Sequence, residues 1–196
     1  MKYFKLAMTN DERWTLAIDR VFASGESVDI WAYSLGKVAN ANCSVPFHQD
    51  VEGESVDFNP TAFGSIVVST KMANVLAEFA SSDIQRIPAQ VQGVQGDWEV
   101  LNVLSVVDCI DHELSKIQYF PDDHPEKPEK PRGIMKLVLD SGKASGRHVF
   151  KLKDWLVATV VSEDVKVALE DAGITGVEFW PATERQKKSI SANLKG

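Results

Sequence analysis

Apolar positions recur along the chain with two periods, and together they predict strands and two helices. Met72, Val75, Leu76 and Phe79 are spaced as one face of a helix, and Val165, Ala168, Leu169 and Ala172 stand at the same four offsets 93 positions later. Each stripe follows a short β-branched run, Val67-Val68-Ser69 or Val160-Val161-Ser162, whose serine is placed to accept N–H groups of the first helical turn. An extended run ending in proline follows each, Ile84 to Pro88 and Val177 to Pro181. The two segments read as similar strand-helix-strand units. Glu163 and Asp164 complement the second helix dipole and Gly173 stands where a left-handed C-cap belongs, whereas Lys71 opens the first, so the second helix is expected to be the better formed.

β-Branched and aromatic enrichment predicts strands at Trp98 to Val107, Ile134 to Leu139, His148 to Lys153, Tyr3 to Met8 and Val28 to Tyr33, while residues 40 to 60 read as loop. Residues 121–132 hold four of the eight prolines, with Pro125, Pro128 and Pro131 at intervals of three, and read as an exposed spacer loop. The expected fold is α+β with a mixed or mainly antiparallel sheet. An N-terminal strand and loop region (1–60) packs on a body (61–183), and a basic tail (184–196) follows.

Composition narrows the functional classes. A chain of 196 residues, 44% hydrophobic and 25% charged, is ordinary for a globular protein, and a net charge of −7 argues against a surface built to neutralise nucleic-acid phosphates. No run approaches the length of a membrane span, and the polar stretch from Thr9 to Arg13 interrupts any signal-peptide core, so a soluble, cytoplasmic protein in a reducing compartment is expected. Cys43 and Cys109 match no disulfide or zinc spacing and read as two reduced core thiols.

The densest polar cluster is Asp108-Cys109-Ile110-Asp111-His112-Glu113. Such a set can hold a divalent cation or pair a thiol with an imidazole, but on a strand Asp108 and His112 face one side while Cys109, Asp111 and Glu113 face the other. The cluster therefore reads as a strand end with turn-forming aspartates. His48, Asp50, Glu52, Glu54 and Asp57 depart from the calcium-loop pattern and read as a solvated acidic loop. No phosphate-loop, dinucleotide or nucleophile-elbow motif is present, and no cofactor is expected. Trp98, Trp155 and Trp180 stand at predicted strand ends, where an indole closes a core and its N–H meets a backbone carbonyl. Trp31 alternates against the acidic positions around it and is a candidate exposed anchor for a partner. Asp108, Asp111, His112 and Glu113 join it as candidate partner-binding residues.

The run from Trp98-Glu99-Val100-Leu101-Asn102-Val103-Leu104 to Asp108-Cys109-Ile110-Asp111 resembles the hallmark segment of a bacterial immunity-protein family of polymorphic toxin systems, once known only as a domain of unknown function. Ile66 to Ser69 with its helix, Met135 to Asp140, His148 to Leu152 and Val160 to Pro181 resemble that family's blocks in the same order, so the likeness covers about residues 60 to 182. Lys151 stands where the family pattern often has arginine. The resemblance implies a non-enzymatic protein that occupies a cognate toxin domain encoded by an adjacent gene. It supplies no catalytic residues to carry over. An acidic inhibitor gains association rate against a basic toxin through electrostatic steering. An enzyme built on the Asp108 to Glu113 cluster, or a regulatory interaction module, would be the alternatives.

Overall fold

The two helices form on the predicted stripes. In this computed structural model, which describes residues 1–9, 12–40, 42–123, 125 and 130–184, α1 spans Thr70–Ala80 and α2 spans Glu163–Asp171. Ser69 Oγ accepts the Met72 N–H at 3.2 Å and Ser162 Oγ accepts the Val165 N–H at 3.4 Å, so both caps are made by the expected serines. Gly173 follows α2 at φ +62°, as a C-cap glycine should. α1 has 11 residues and α2 has 9, and the acidic first turn and C-cap glycine expected of the second helix are present in α2 and absent from α1. Met72, Ala73, Leu76 and Ala80 are buried along α1, against Val165 and Leu169 along α2. Each large buried side chain contributes about 1.5–3 kcal/mol, more than the roughly 0.3–1 kcal/mol of a favourable dipole charge.

The strands are β1 (Tyr3–Met8), β2 (Thr15–Ile18), β3 (Val45–Val51), β4 (Phe58–Pro60), β5 (Ile66–Ser69), β6 (Ile84–Val91), β7 (Trp98–Val103), β8 (Val106–Val107), β9 (Lys116–Tyr119), β10 (Pro131–Lys136), β11 (Val138–Leu139), β12 (Val149–Leu152), β13 (Trp155–Ser162) and β14 (Val177–Glu184). The fold is α+β with mixed sheets. The strands divide between two six-stranded sheets, ordered β11-β14-β1-β13-β12-β8 and β2-β3-β6-β7-β5-β4, plus a β9–β10 ribbon, where one sheet was expected. In the second sheet β5 and β6 both run antiparallel to β7 between them, and α1 lies between β5 and β6 in the chain. In the first, β13 and β14 flank β1 in the same way, with α2 between them in the chain.

One core is shared. Leu6, Val149 and Val161 of the first sheet meet Phe58, Val68 and Leu101 of the second around Met72, Leu76, Val165 and Leu169. The opposite face of each sheet is covered by irregular chain. Trp14, Tyr33 and Val28 lie over Phe47, Ile87 and Val100, and Cys109, Ile110 and Ala144 lie over Phe150, Leu152 and Val160.

Residues 40 to 60, expected as loop, contribute β3 and β4, because Val45, Phe47 and Phe58 are buried and pay no attention to the polar residues between them. Val28 to Tyr33, expected as strand, is a turn in which Asp29 Oδ1 accepts the Trp31 N–H at 3.0 Å and the Ala32 and Ser34 N–H groups bond to Asp29 and Trp31 carbonyls. The strand from Trp98 breaks at Leu104 and Ser105, whose N–H groups both reach the Asp83 carbonyl. Cys109 is a core thiol but Cys43 is exposed. Trp98 Nε1 is buried without a protein partner among the described residues, Trp180 Nε1 donates to the Glu178 carboxylate, and Trp14, not singled out by sequence, donates from its buried indole to Asn59 Oδ1 at 2.7 Å. The centre of the proline loop and the tail beyond Glu184 lie outside the described residues.

Polar contacts fasten the two sheets where they meet. Arg13 donates to the Gly176 carbonyl and to Asn59 Oδ1, both at 3.2 Å. Gly176, at φ +78°, lies so close to Val56 that an added Cβ would sit 2.6 Å from its side chain. Asp57 accepts Ser69 Oγ–H at 2.6 Å and, from the turn after α2, the Thr175 N–H and Oγ1–H at 2.8 and 2.9 Å. Burial opposes its charge, but the hydrogen bonds from Ser69 and Thr175 outweigh burial and hold the carboxyl below its ordinary value.

Leu76→Ala and Leu169→Ala should each cost about 2–5 kcal/mol in denaturant unfolding, and Ser162→Ala about 1 kcal/mol. Because the folded Asp57 value is depressed, its contribution is complete above about pH 4 and is lost as pH falls through the folded value. Asp57→Asn should therefore flatten the acid limb of the stability curve, measured as melting temperature against pH.

Candidate partner-binding face

A bulge in β13 shapes the first sheet beside the candidate face. Lys151 stands opposite Thr159, but its neighbour Leu152 stands opposite Trp155, which leaves Leu156, Val157 and Ala158 out of register. The Lys151 side chain, 1% exposed, donates from Nζ to the Leu156 carbonyl at 2.7 Å and so anchors the looped-out segment from within. Burial pushes this ammonium down to about 8. Val157 is turned outward and is 67% exposed, while Ala158 packs into the core.

Beside the bulge lies a groove of about 740 Å³, lined by Trp155, Leu156 and Val157 and by Tyr119, Lys130 and Arg132 of the β9–β10 hairpin. Leu35 and His112 also line it. Leu35 is brought there by Gly36, which packs at φ +71° so close to Val106 that any Cβ would collide with Val106 Cγ2. Three smaller hollows share a residue with the groove. One of about 200 Å³ shares Trp155 and adds Lys5, Met135, Lys136 and Trp180. Another of about 210 Å³ shares His112 and adds Asp111, Glu113, Asp140 and Lys143. The last, about 260 Å³, shares Val157 and opens between Met8, Phe58, Thr61, Ala62 and Gly64.

The sequence-predicted residues lie around this surface in different roles. The strand ends at Val107, so the cluster lies at a strand end as expected. Asp108 is exposed and pairs with Lys153 at 2.9 Å, an ion pair that holds its carboxyl below the ordinary value. Cys109 is buried, and desolvation with the nearby Asp108 and Asp140 charges pushes its thiol up to about 12, so it stays protonated and is not an activated nucleophile. Asp111 Oδ1 accepts the Glu113 and Leu114 N–H groups, the turn-forming role expected of it, and its own N–H bonds to the Val138 carbonyl. His112 contacts Asp154 at 3.4 Å and the Tyr119 hydroxyl at 3.3 Å, which places it on the groove wall, and Glu113 is exposed beside it. Trp31, 52% exposed, packs edge-on against Phe63 with ring centres 5.2 Å apart, and lines neither the groove nor its neighbouring hollows. Among the described residues no three His, Cys, Asp or Glu side chains converge as a metal site would require. The acidic loop reading for His48 is corrected too: the residue lies on β3 and its Nδ1 sits 2.6 Å from Asp19.

The hallmark block is occupied internally. Asn102 donates to the Lys37 carbonyl at 2.8 Å and to Gln85 at 3.0 Å, and Cys109 and Asp111 fasten the chain to β11 through the Asp140 N–H and the Val138 carbonyl. The model of the immunity protein family (Imm11) matches residues 8–184. The chain belongs to that family. The Imm11 match begins far upstream of the blocks that carried the resemblance, so it takes in β2, β3 and β4 as well as the body. Membership implies a toxin partner in general terms. No curated protein matches this Imm11 chain.

Sequence reasoning missed Lys151 as the organiser of the bulge, although a lysine inside Val149-Phe150-Lys151-Leu152 was the available signal. Because its folded value is depressed, the folded protein binds fewer protons than the unfolded one between about pH 8 and 10.5, and stability should rise with pH across that window. Lys151→Met should abolish the rise, which urea unfolding at pH 7, 9 and 10 would measure.

Proposed function

We propose that this protein protects the cell that makes it by binding and occluding a cognate toxin domain, encoded by an adjacent gene of a polymorphic toxin system, in the cytoplasm. Family membership over residues 8–184 carries this reading. The groove-bearing face supports it, since Leu35, Tyr119, Met135, Val157 and Trp180 expose apolar surface in the groove and the adjoining Trp155 hollow, as an interaction site requires. His112 lines the groove, and we assign it, with Glu113, Asp108, Asp111 and Trp31, to the contact region. The mechanism is stoichiometric occupancy rather than catalysis. We also infer that the two strand-helix-strand segments are copies of one unit, supported by their constant offset and matched serine caps.

Co-expression with the neighbouring toxin domain should restore growth, and titration of purified protein against toxin activity should reach full protection at about one equivalent. Full protection at about one hundredth of the toxin concentration would refute occupancy and point to an enzyme.

A further inference from the structure

The charge along the groove is opposite to that of the molecule. In a chain of 28 Asp and Glu against 21 Lys and Arg, the groove and the Trp155 hollow beside it are lined by Lys5, Lys130, Arg132, Lys136 and Lys153 with a single carboxylate, Asp154. Lys153 is engaged by Asp108, but Lys130, Arg132 and Lys136 are exposed and make no ion pair among the described residues. Lys5 is held over Trp180 at 4.2 Å and Trp155 at 5.4 Å from the ring centres. Between these cations lie Tyr119, Trp155 and Met135, the last 73% exposed. Among the described residues no third strand joins the β9–β10 ribbon, so each of its strands keeps an outer edge without a strand neighbour there.

We propose that this strip is the docking site for an extended, acidic segment of the toxin that carries an apolar anchor, an inference that rests on the toxin-binding reading. Carboxylates of the segment pair with Lys130, Arg132 and Lys136, its anchor lies against Trp155 and Tyr119, and its backbone can add to the ribbon edge. Association is then steered by a local positive field within an acidic protein, the reverse of what the net charge implies for a basic partner. A nucleic-acid strand would find the same cations and rings, but the surrounding negative charge opposes a polyanion long enough to leave the strip.

The test compares the wild type with Lys130→Glu/Arg132→Glu/Lys136→Glu and with a control of equal charge change away from the strip, Arg20→Glu/Lys71→Glu/Lys166→Glu. Fluorescence anisotropy with a labelled glutamate–tyrosine copolymer and with oligothymidylate reads the chemistry of the strip, and surface plasmon resonance reads binding to the toxin domain encoded by the adjacent gene. The expected result is that the wild type and the control bind copolymer and toxin, while the strip variant loses at least about tenfold for both, mainly in association rate at low salt. Arg132→Glu alone, on the exposed hairpin, repeats the comparison if the triple variant melts early. Toxin binding that survives in the strip variants, no copolymer binding by the wild type, or tighter binding of oligothymidylate than of copolymer would each overturn the proposal. A wild type that fails to bind the toxin at all would instead overturn the toxin-binding reading, whatever the copolymer does.

Discussion

The packing of α1 against α2 between two sheets is the constraint from which the architecture follows. Neither helix is long enough to be stable alone in water, and each leaves one apolar face that its own sheet covers only in part. Bringing the helix-bearing faces together closes Met72, Leu76, Val165 and Leu169 into one core. Asp57 then acts as a clasp at the joint, since its carboxylate accepts from the cap serine of one helix and from the turn that follows the other. A change at either helix is felt in both halves.

That arrangement leaves the outer face of each sheet to be covered by irregular chain, and the candidate site lies where one of these coverings meets the sheet. The segment from Cys109 to Ser115 is fixed to β11 by main-chain bonds, and Ser115 Oγ both donates to the Val138 carbonyl and accepts the Val138 N–H at the neck of the β9–β10 hairpin. The hairpin is therefore held firmly at its base while its flanks stand open. On the other side of the groove the bulge is fixed from inside by Lys151. A buried ammonium with one carbonyl acceptor is costly to fold, and its position suits a requirement for a defined outward segment better than a requirement for stability.

Local features were readable from sequence, and distant pairings were not. The two serine caps and both helical stripes are set by residues within one or two turns of each other, and they stand where the periodicity put them. The insertion of β1 between β13 and β14 joins residues more than 150 positions apart, and no local pattern announces it. In β3, Pro46, His48, Gln49 and Asp50 mask a strand whose only deeply buried residues are Val45 and Phe47. In the opposite sense, Val28 to Tyr33 has strand-like alternation, but the Asp29 side chain offers its own hydrogen bond to the backbone and a turn wins. At the candidate site, Trp31 and the Asp108 to Glu113 cluster were visible as residue types, whereas the groove depends on a register jump and on a hairpin flank that only the assembled sheet defines.

The inward use of Asn102, Cys109 and Asp111 has a consequence for how a protein of this kind can acquire new targets. The Asn102 amide N–H groups and the backbone of Cys109 and Asp111 are spent inside the chain, so these groups hold the scaffold together. The address for a target would be written on the outward residues of the hairpin and of the looped-out segment, such as Arg132, Lys136 and Val157, while Ile117, Ile134 and Ala158 of the same segments pack inward and Lys151 holds the bulge. Substitution at those outward positions leaves the shared core untouched, so one framework can present a different surface while its folding instructions stay in place.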